Sequence, residues 1–221
     1  MKKISHENNF LFLFAALVTL FFSISVFTYI ESKWLSNVVE ILMLGVLLVS
    51  VRSLKSDESW KIAVYIMMFF LITIFISHKL FSNTTLIEVS HLIILLLFFL
   101  GLLQLSYKQI VMSKIIDTNM IIGSLVLYFL LALTWAIIYL ILLIAFPEGF
   151  NGITYLPWKE NFAQVIYFSF ATLTTLGYGD ISPRNPITEF FVYAEAIIGV
   201  FYMAIIVSSL VSARLDNSKS R

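Results

Sequence analysis

Long apolar runs separated by short polar breaks make up most of the chain. Hydrophobic residues dominate 10–30, 35–51, 62–76, 86–105, 120–146 and 187–211. A helix rises about 1.5 Å per residue, so about 20 apolar residues cross the hydrocarbon core of a bilayer, and the pattern predicts six spanning helices. The third run is the shortest and needs Trp60 or His78 near its ends as an interfacial anchor. The first run has no small-residue cleavage site before Glu31 and reads as a retained span, not a signal peptide. One more apolar stretch, 162–174, is too short to span. It leads into a polar, glycine-bearing run just before the sixth span, the pattern of a half-helix followed by a re-entrant loop.

Two connections are longer than the rest. In 106–117, Tyr107, Ile110, Val111, Ile115 and Ile116 recur at helical spacing opposite Lys108 and Lys114. This predicts a short amphipathic helix on the inner membrane surface. The second connection, 147–160, holds Gly149, Asn151, Gly152 and Pro157 and reads as an outer turret, with Trp158 as an interfacial anchor. The chain thus divides into a four-helix peripheral membrane domain (1–105), a linker helix (106–118), a pore-like unit (119–212) and a short tail (213–221). The fold class is all-α integral membrane.

Composition narrows the function. The 221 residues are 60% hydrophobic and 12% charged, against about 25% charged in soluble domains, and the mean hydropathy is +0.97. A net charge of +1 with no basic cluster gives no footing for nucleic acid. There are no cysteines, and His6, His78 and His91 are too scattered for a metal motif. No nucleotide-binding glycine motif occurs, and no cofactor or enzymatic activity is expected. Of the 14 lysines and arginines, Lys33, Lys79, Lys159 and Arg184 fall on one side of the predicted spans and the other ten on the opposite side. The positive-inside rule then puts both termini in the cytoplasm and the re-entrant loop on the outer side.

The re-entrant run reads Thr174-Thr175-Leu176-Gly177-Tyr178-Gly179-Asp180. Two glycines around a tyrosine permit backbone angles with φ > 0, so successive carbonyls can be turned to one side in place of a hydration shell. The run resembles the selectivity filter of potassium channels, usually Thr-Val-Gly-Tyr-Gly. Around it, 162–174 resembles the pore helix, ending in Ala171-Thr172-Leu173-Thr174, and Asp180, Pro183 and the inner-helix Gly199 fall where the family places them. The resemblance covers 119–211. It implies a six-transmembrane bacterial potassium channel in a plasma or bacterial inner membrane, in which backbone carbonyls of Thr175, Leu176, Gly177 and Tyr178 coordinate dehydrated K⁺. Gly179 completes the filter, and the Thr175 hydroxyl adds an inner ring of oxygens. Four identical chains in the lipid bilayer are then required, and K⁺ is a permeant ion, not a cofactor.

The chain also departs from the family. Leu176 replaces the usual valine and adds a methylene behind the filter, an overpacking of about 1–3 kcal/mol if nothing compensates. Ala171 stands where some members carry an acid that pairs with the filter aspartate, and Tyr167 and Phe168 stand where tryptophans are frequent. The Tyr167 hydroxyl is expected to bond Asp180 instead, the competing reading being that both aromatics only pack. Thr172 and Thr174 close the pore helix, whose dipole favours a cation at its carboxyl end.

In the last span Gly199 is either a gating hinge or a close-packing residue. Val200, Met203, Val207 and Val211 share one face toward the inner pore. The fourth span has no lysine or arginine, so an arginine-ladder voltage sensor is not expected. Glu40, together with Glu88 and His91 three residues apart, forms structural or proton-sensing candidates, and Glu195 is expected to bond the scaffold behind the filter. After Val211 about ten polar residues remain, so control is expected from the membrane part or a separate regulatory subunit. The competing readings are a weakly selective monovalent cation channel and a non-conducting membrane sensor subunit.

Overall fold

The computed structural model of the chain describes residues 9–30, 36–54, 58–80, 85–111 and 118–208. Seven α-helices occur in order: α1 (Asn9–Ile30), α2 (Ser36–Ser53), α3 (Glu58–Leu80), α4 (Thr85–Val111), α5 (Thr118–Ala145), α6 (Trp158–Leu173) and α7 (Pro186–Phe201). α7 runs directly into a π-helical segment, Tyr202–Val207. Two strands of two residues, β1 (Phe150–Asn151) and β2 (Ser182–Pro183), pair antiparallel. Stretches of α1, α4, α5 and the last helix are long and apolar enough to cross a membrane. α2 and α3 occupy the second and third predicted runs, and α2 carries a shorter apolar stretch at Ile41–Ser50.

α5 is the centre of the packing. Of its apolar span 67% is buried, against 33% for α1 and α4 and 22% for the last helix, so α5 is enclosed while the last helix leaves an apolar face open. α1, α4 and α6 pack against α5, while α7 packs on α6 and reaches α5 through Trp135–Phe191 and Tyr139–Glu195. An aromatic cluster ties these layers together: Phe21 of α1 meets Phe129 of α5 at 5.6 Å and Phe170 of α6 at 5.3 Å between centroids. At the start of α5, Asn119 Oδ1 accepts the Phe10 N–H at 3.1 Å, so α1 and α5 begin at the same end of the bundle.

Three features add to the sequence reading. Trp60 is half-buried and lays its ring over Phe98 of α4, 6.5 Å between centroids. α4 continues to Val111 because Ser106 and Ile110 extend its buried face; the rest of the predicted linker, 112–117, lies outside the described residues. The turret is not a plain loop, since β1 and β2 join it to the chain leaving the filter run. Side chains of Glu40 and His78 lie outside the described set.

Candidate ion-conducting site

The site is built on α6. Its 16 residues reach about 24 Å, too short to cross a bilayer. It starts at Trp158, four residues earlier than the apolar pattern suggests, directly after Pro157 with φ −49°, an angle the proline ring favours. Trp158 is buried.

A helix leaves its last carbonyls without intrahelical partners, and here the filter run folds back to fill them. Thr174 N–H donates to Phe170 O at 3.0 Å and Thr175 N–H to Thr172 O at 2.9 Å. Ala171 O then accepts from both Leu176 N–H at 2.8 Å and Gly177 N–H at 3.1 Å. The amides of 176 and 177 therefore face α6, which turns their peptide planes' oxygens away from it.

The backbone angles complete this arrangement. Thr175, Gly177 and Gly179 have φ of +60°, +51° and +81°, while the intervening Leu176 and Tyr178 keep negative φ. In an extended strand successive carbonyls point to opposite sides. Alternating left-handed and right-handed φ brings like groups of successive peptides to one side, as it does for the amides of an anion nest. Glycine takes such angles freely, and a β-branched residue does so at a cost of about 1–2 kcal/mol. Sequence reasoning selected Thr175 for its oxygens and missed its strain, because nothing in the residue type announces φ > 0.

The outer end of the run is braced twice. Tyr167 Oη donates to Asp180 Oδ2 at 2.8 Å, in the place left by Ala171, whose methyl is buried. This bond to the carboxylate holds the tyrosine hydroxyl above its usual pKa. The Tyr167 and Tyr178 rings stack at 6.5 Å and 11°. Phe168 is packed between Tyr139 and Phe150, at 5.0 and 5.8 Å. From the turret side, Gly152 (φ +80°) lies so close that a Cβ there would be 2.0 Å from Asp180 O. Gly149 O accepts from Arg184 N–H at 2.8 Å and Thr188 Oγ1 at 2.9 Å, fixing the turret to the start of α7.

Behind the run, Glu195 of α7 is fully buried. Tyr139 Oη of α5 donates to its Oε2, and Ser169 Oγ of α6 lies 2.5 Å from its Oε1 and 2.8 Å from Ala132 O. One carboxyl group thus joins three helices. Gly199 faces the carboxyl end of α6, where a Cβ would fall 2.1 Å from Leu173 O, so the glycine is accounted for by close approach. The helical irregularity comes three residues later, at Tyr202, whose hydroxyl donates to Ser124 O of α5.

Below the run, a cavity of about 870 Å³ is lined by Thr174, Thr175, Gly199, Val200 and Met203 among others. The Thr174 hydroxyl donates to Phe170 O at 2.6 Å, so it caps its own helix. Val207 falls in the π-helical segment, but its side chain, like Val211 altogether, lies outside the described residues. Leu176 and Tyr178 are 55% and 68% exposed on the single chain, which leaves the filter run bare on one side. Among the described residues no group of three or more His, Cys, Asp or Glu could hold a metal.

Residues 125–214 match a family model described as ion channel. Two pore potassium channel c of Oryza sativa subsp. japonica is 41% identical over 54 residues, 24% of this chain and 12% of that protein. Two-pore potassium channel 3 of Arabidopsis thaliana is 36% identical over 55 residues, 25% of this chain and 13% of that protein. Two-pore potassium channel 5 of Arabidopsis thaliana is 35% identical over 57 residues, 26% and 14% of the two chains. The matches span only about an eighth of these relatives' length. No solved structure matches. In a mostly helical chain with membrane-length apolar helices, residues 125–214 are thus similar to an ion-channel family and, over a short stretch, to plant two-pore potassium channels.

Proposed function

We propose that the chain is one subunit of a potassium-selective channel that conducts K⁺ passively across the membrane. The observation that carries this is the alternation of backbone handedness at Thr175, Gly177 and Gly179, with the Leu176 and Gly177 amides turned onto Ala171 O. That geometry frees the carbonyls of 175–178 to replace the water around a monovalent cation. One chain supplies one side of each oxygen ring, so the reading requires four copies about an axis. The exposed Leu176 and Tyr178, and the open apolar face of α7 at Phe190, Ile197 and Phe201, support such assembly.

In this reading α2 and α3 are the remaining two of six spans, and both termini face the cytoplasm. The only lysine or arginine in α4 is Lys108, in its last turn, so steep voltage gating by a charge ladder is not part of the proposal. Purified protein in liposomes tests it. A reversal potential that tracks the K⁺ gradient against Na⁺, and flux lost in Gly177→Ala, is the expected outcome. A reversal potential near zero in opposed gradients supports the weakly selective alternative, and no flux from intact protein overturns conduction altogether.

A further inference from the structure

The amino end of the pore helix is held from outside the pore-like unit. α6 is preceded by Pro157, whose ring offers no hydrogen-bond acceptor, and no side chain of its own segment caps it. A helix start exposes unpaired amides and the positive end of the helix dipole. Glu88, in the first turn of α4, meets both needs: its Oε1 accepts the Trp158 backbone N–H at 2.9 Å. His91, one turn further along α4, sets its ring 5.0 Å from that of Trp158, which in turn meets Phe162 at 5.9 Å. His91 and Trp158 are each 3% exposed, so this corner is sealed. Among the described residues, Lys159, with Nζ 5.8 Å from the Trp158 ring, and Glu160 in the first turn of α6 are the other charged groups there.

We propose that Glu88 is a positioning residue for the filter, through which the peripheral helices hold the start of the pore helix and set the stability of its conducting arrangement. The proposal rests on the conduction reading above. The opposite end of α6 holds the filter through Ala171 O, and Phe170, near that end, packs on Phe21 and Phe129. α6 is a short rod fastened at both ends, so releasing its start alters the position of the carbonyl on which Leu176 and Gly177 hang. The peripheral helices then act on the filter from its outer side, by a route that does not pass through the 106–117 linker.

The test uses the full chain in liposomes with two readouts. Hydrogen exchange over Trp158–Phe162 does not depend on conduction, and single-channel open duration with K⁺ as the only permeant cation reports the filter. Glu88→Ala is expected to raise exchange there about tenfold, the scale of a lost charge-assisted bond. It is also expected to change open duration by about threefold or more, with unitary conductance and K⁺ over Na⁺ selectivity unchanged. Glu88→Gln retains an acceptor oxygen but not the charge and is expected to fall between the parent and Glu88→Ala in both readouts. Adding Pro157→Ser to Glu88→Ala gives α6 a cap of its own, and this is expected to restore protection but not open duration, since α4 is still unfastened.

Unchanged exchange in Glu88→Ala overturns the contact. Raised exchange with unchanged open duration, or recovery of both readouts by Pro157→Ser, reduces Glu88 to a local cap and overturns the proposal. Absence of current from the parent protein overturns the conduction reading and this proposal with it, while exchange alone still judges the contact.

Discussion

Gly199→Ala separates two roles for the inner-helix glycine by the sign of its effect on stability. Within a helix, replacing glycine by alanine is intrinsically favourable by about 0.5–1 kcal/mol. A glycine that served only as a hinge would therefore give a more stable protein with a changed open probability. At Gly199 the new methyl would sit 2.1 Å from Leu173 O and 3.1 Å from Leu173 Cα. Both neighbours are backbone and neither can swing aside, so α7 and the end of α6 must part by about 1 Å, an overpacking of about 1–3 kcal/mol or more. The steric loss exceeds the helical gain, and net destabilisation is expected. Because Leu173 leads directly into the filter run, flux should fall with it. Thermal unfolding followed by size-exclusion chromatography reads the first effect, with about 2–4 °C lost per kcal/mol for a chain of this length. Liposome K⁺ flux reads the second. A higher melting temperature with flux altered only through open probability would refute the close-packing account.

Other consequences can be checked alongside it. Tyr167→Phe removes the bond to Asp180 and is expected to shorten conducting bursts in single-channel records without altering selectivity. Asp180 raises the tyrosine's pKa, so the bond is fully present below the ordinary tyrosine value near 10 and is lost as pH rises through the raised value. An alkaline loss of burst length should therefore occur in the parent and be absent from the phenylalanine variant. Gly152→Ala meets Asp180 O at 2.0 Å and forces alanine to φ +80°, so flux should be abolished and hydrogen exchange raised across Phe150–Asn151. Tyr139→Phe leaves Glu195 Oε2 buried without its donor, a loss of about 1–3 kcal/mol that should lower the melting temperature while conduction persists.

Legibility in the sequence was set by the reach of its signals. The helix–loop–helix plan of 119–211 was visible because membrane-length apolar runs leave little choice of element, and the filter run was visible because Gly-Tyr-Gly demands unusual backbone angles. The Tyr167 to Asp180 bond of 2.8 Å was foreshadowed by the resemblance, which left Asp180 without its usual acidic partner at Ala171. Thr175 shows where legibility ended: its positive φ is imposed by the amides captured at the end of α6, not by its own preference. The packing of Trp158 on His91 and of Trp60 on Phe98 depends on tertiary neighbours that no local pattern announces. The β1–β2 pair escaped notice because two residues per strand carry no periodicity. The junction of Glu88 with Trp158 joins positions 70 residues apart, beyond any local pattern.

The π-helical segment at Tyr202–Val207 changes how the inner helix counts its residues. Hydrogen bonds from i to i+5 accommodate one more residue in a turn than the α pattern, so the two sides of the segment are out of phase by about 100°, one residue's worth of rotation. Val200 lies before the segment and Met203 within it, and both line the cavity. Removing one residue within the segment would re-phase the helix, turning its distal end about its own axis while the filter above stays where it is.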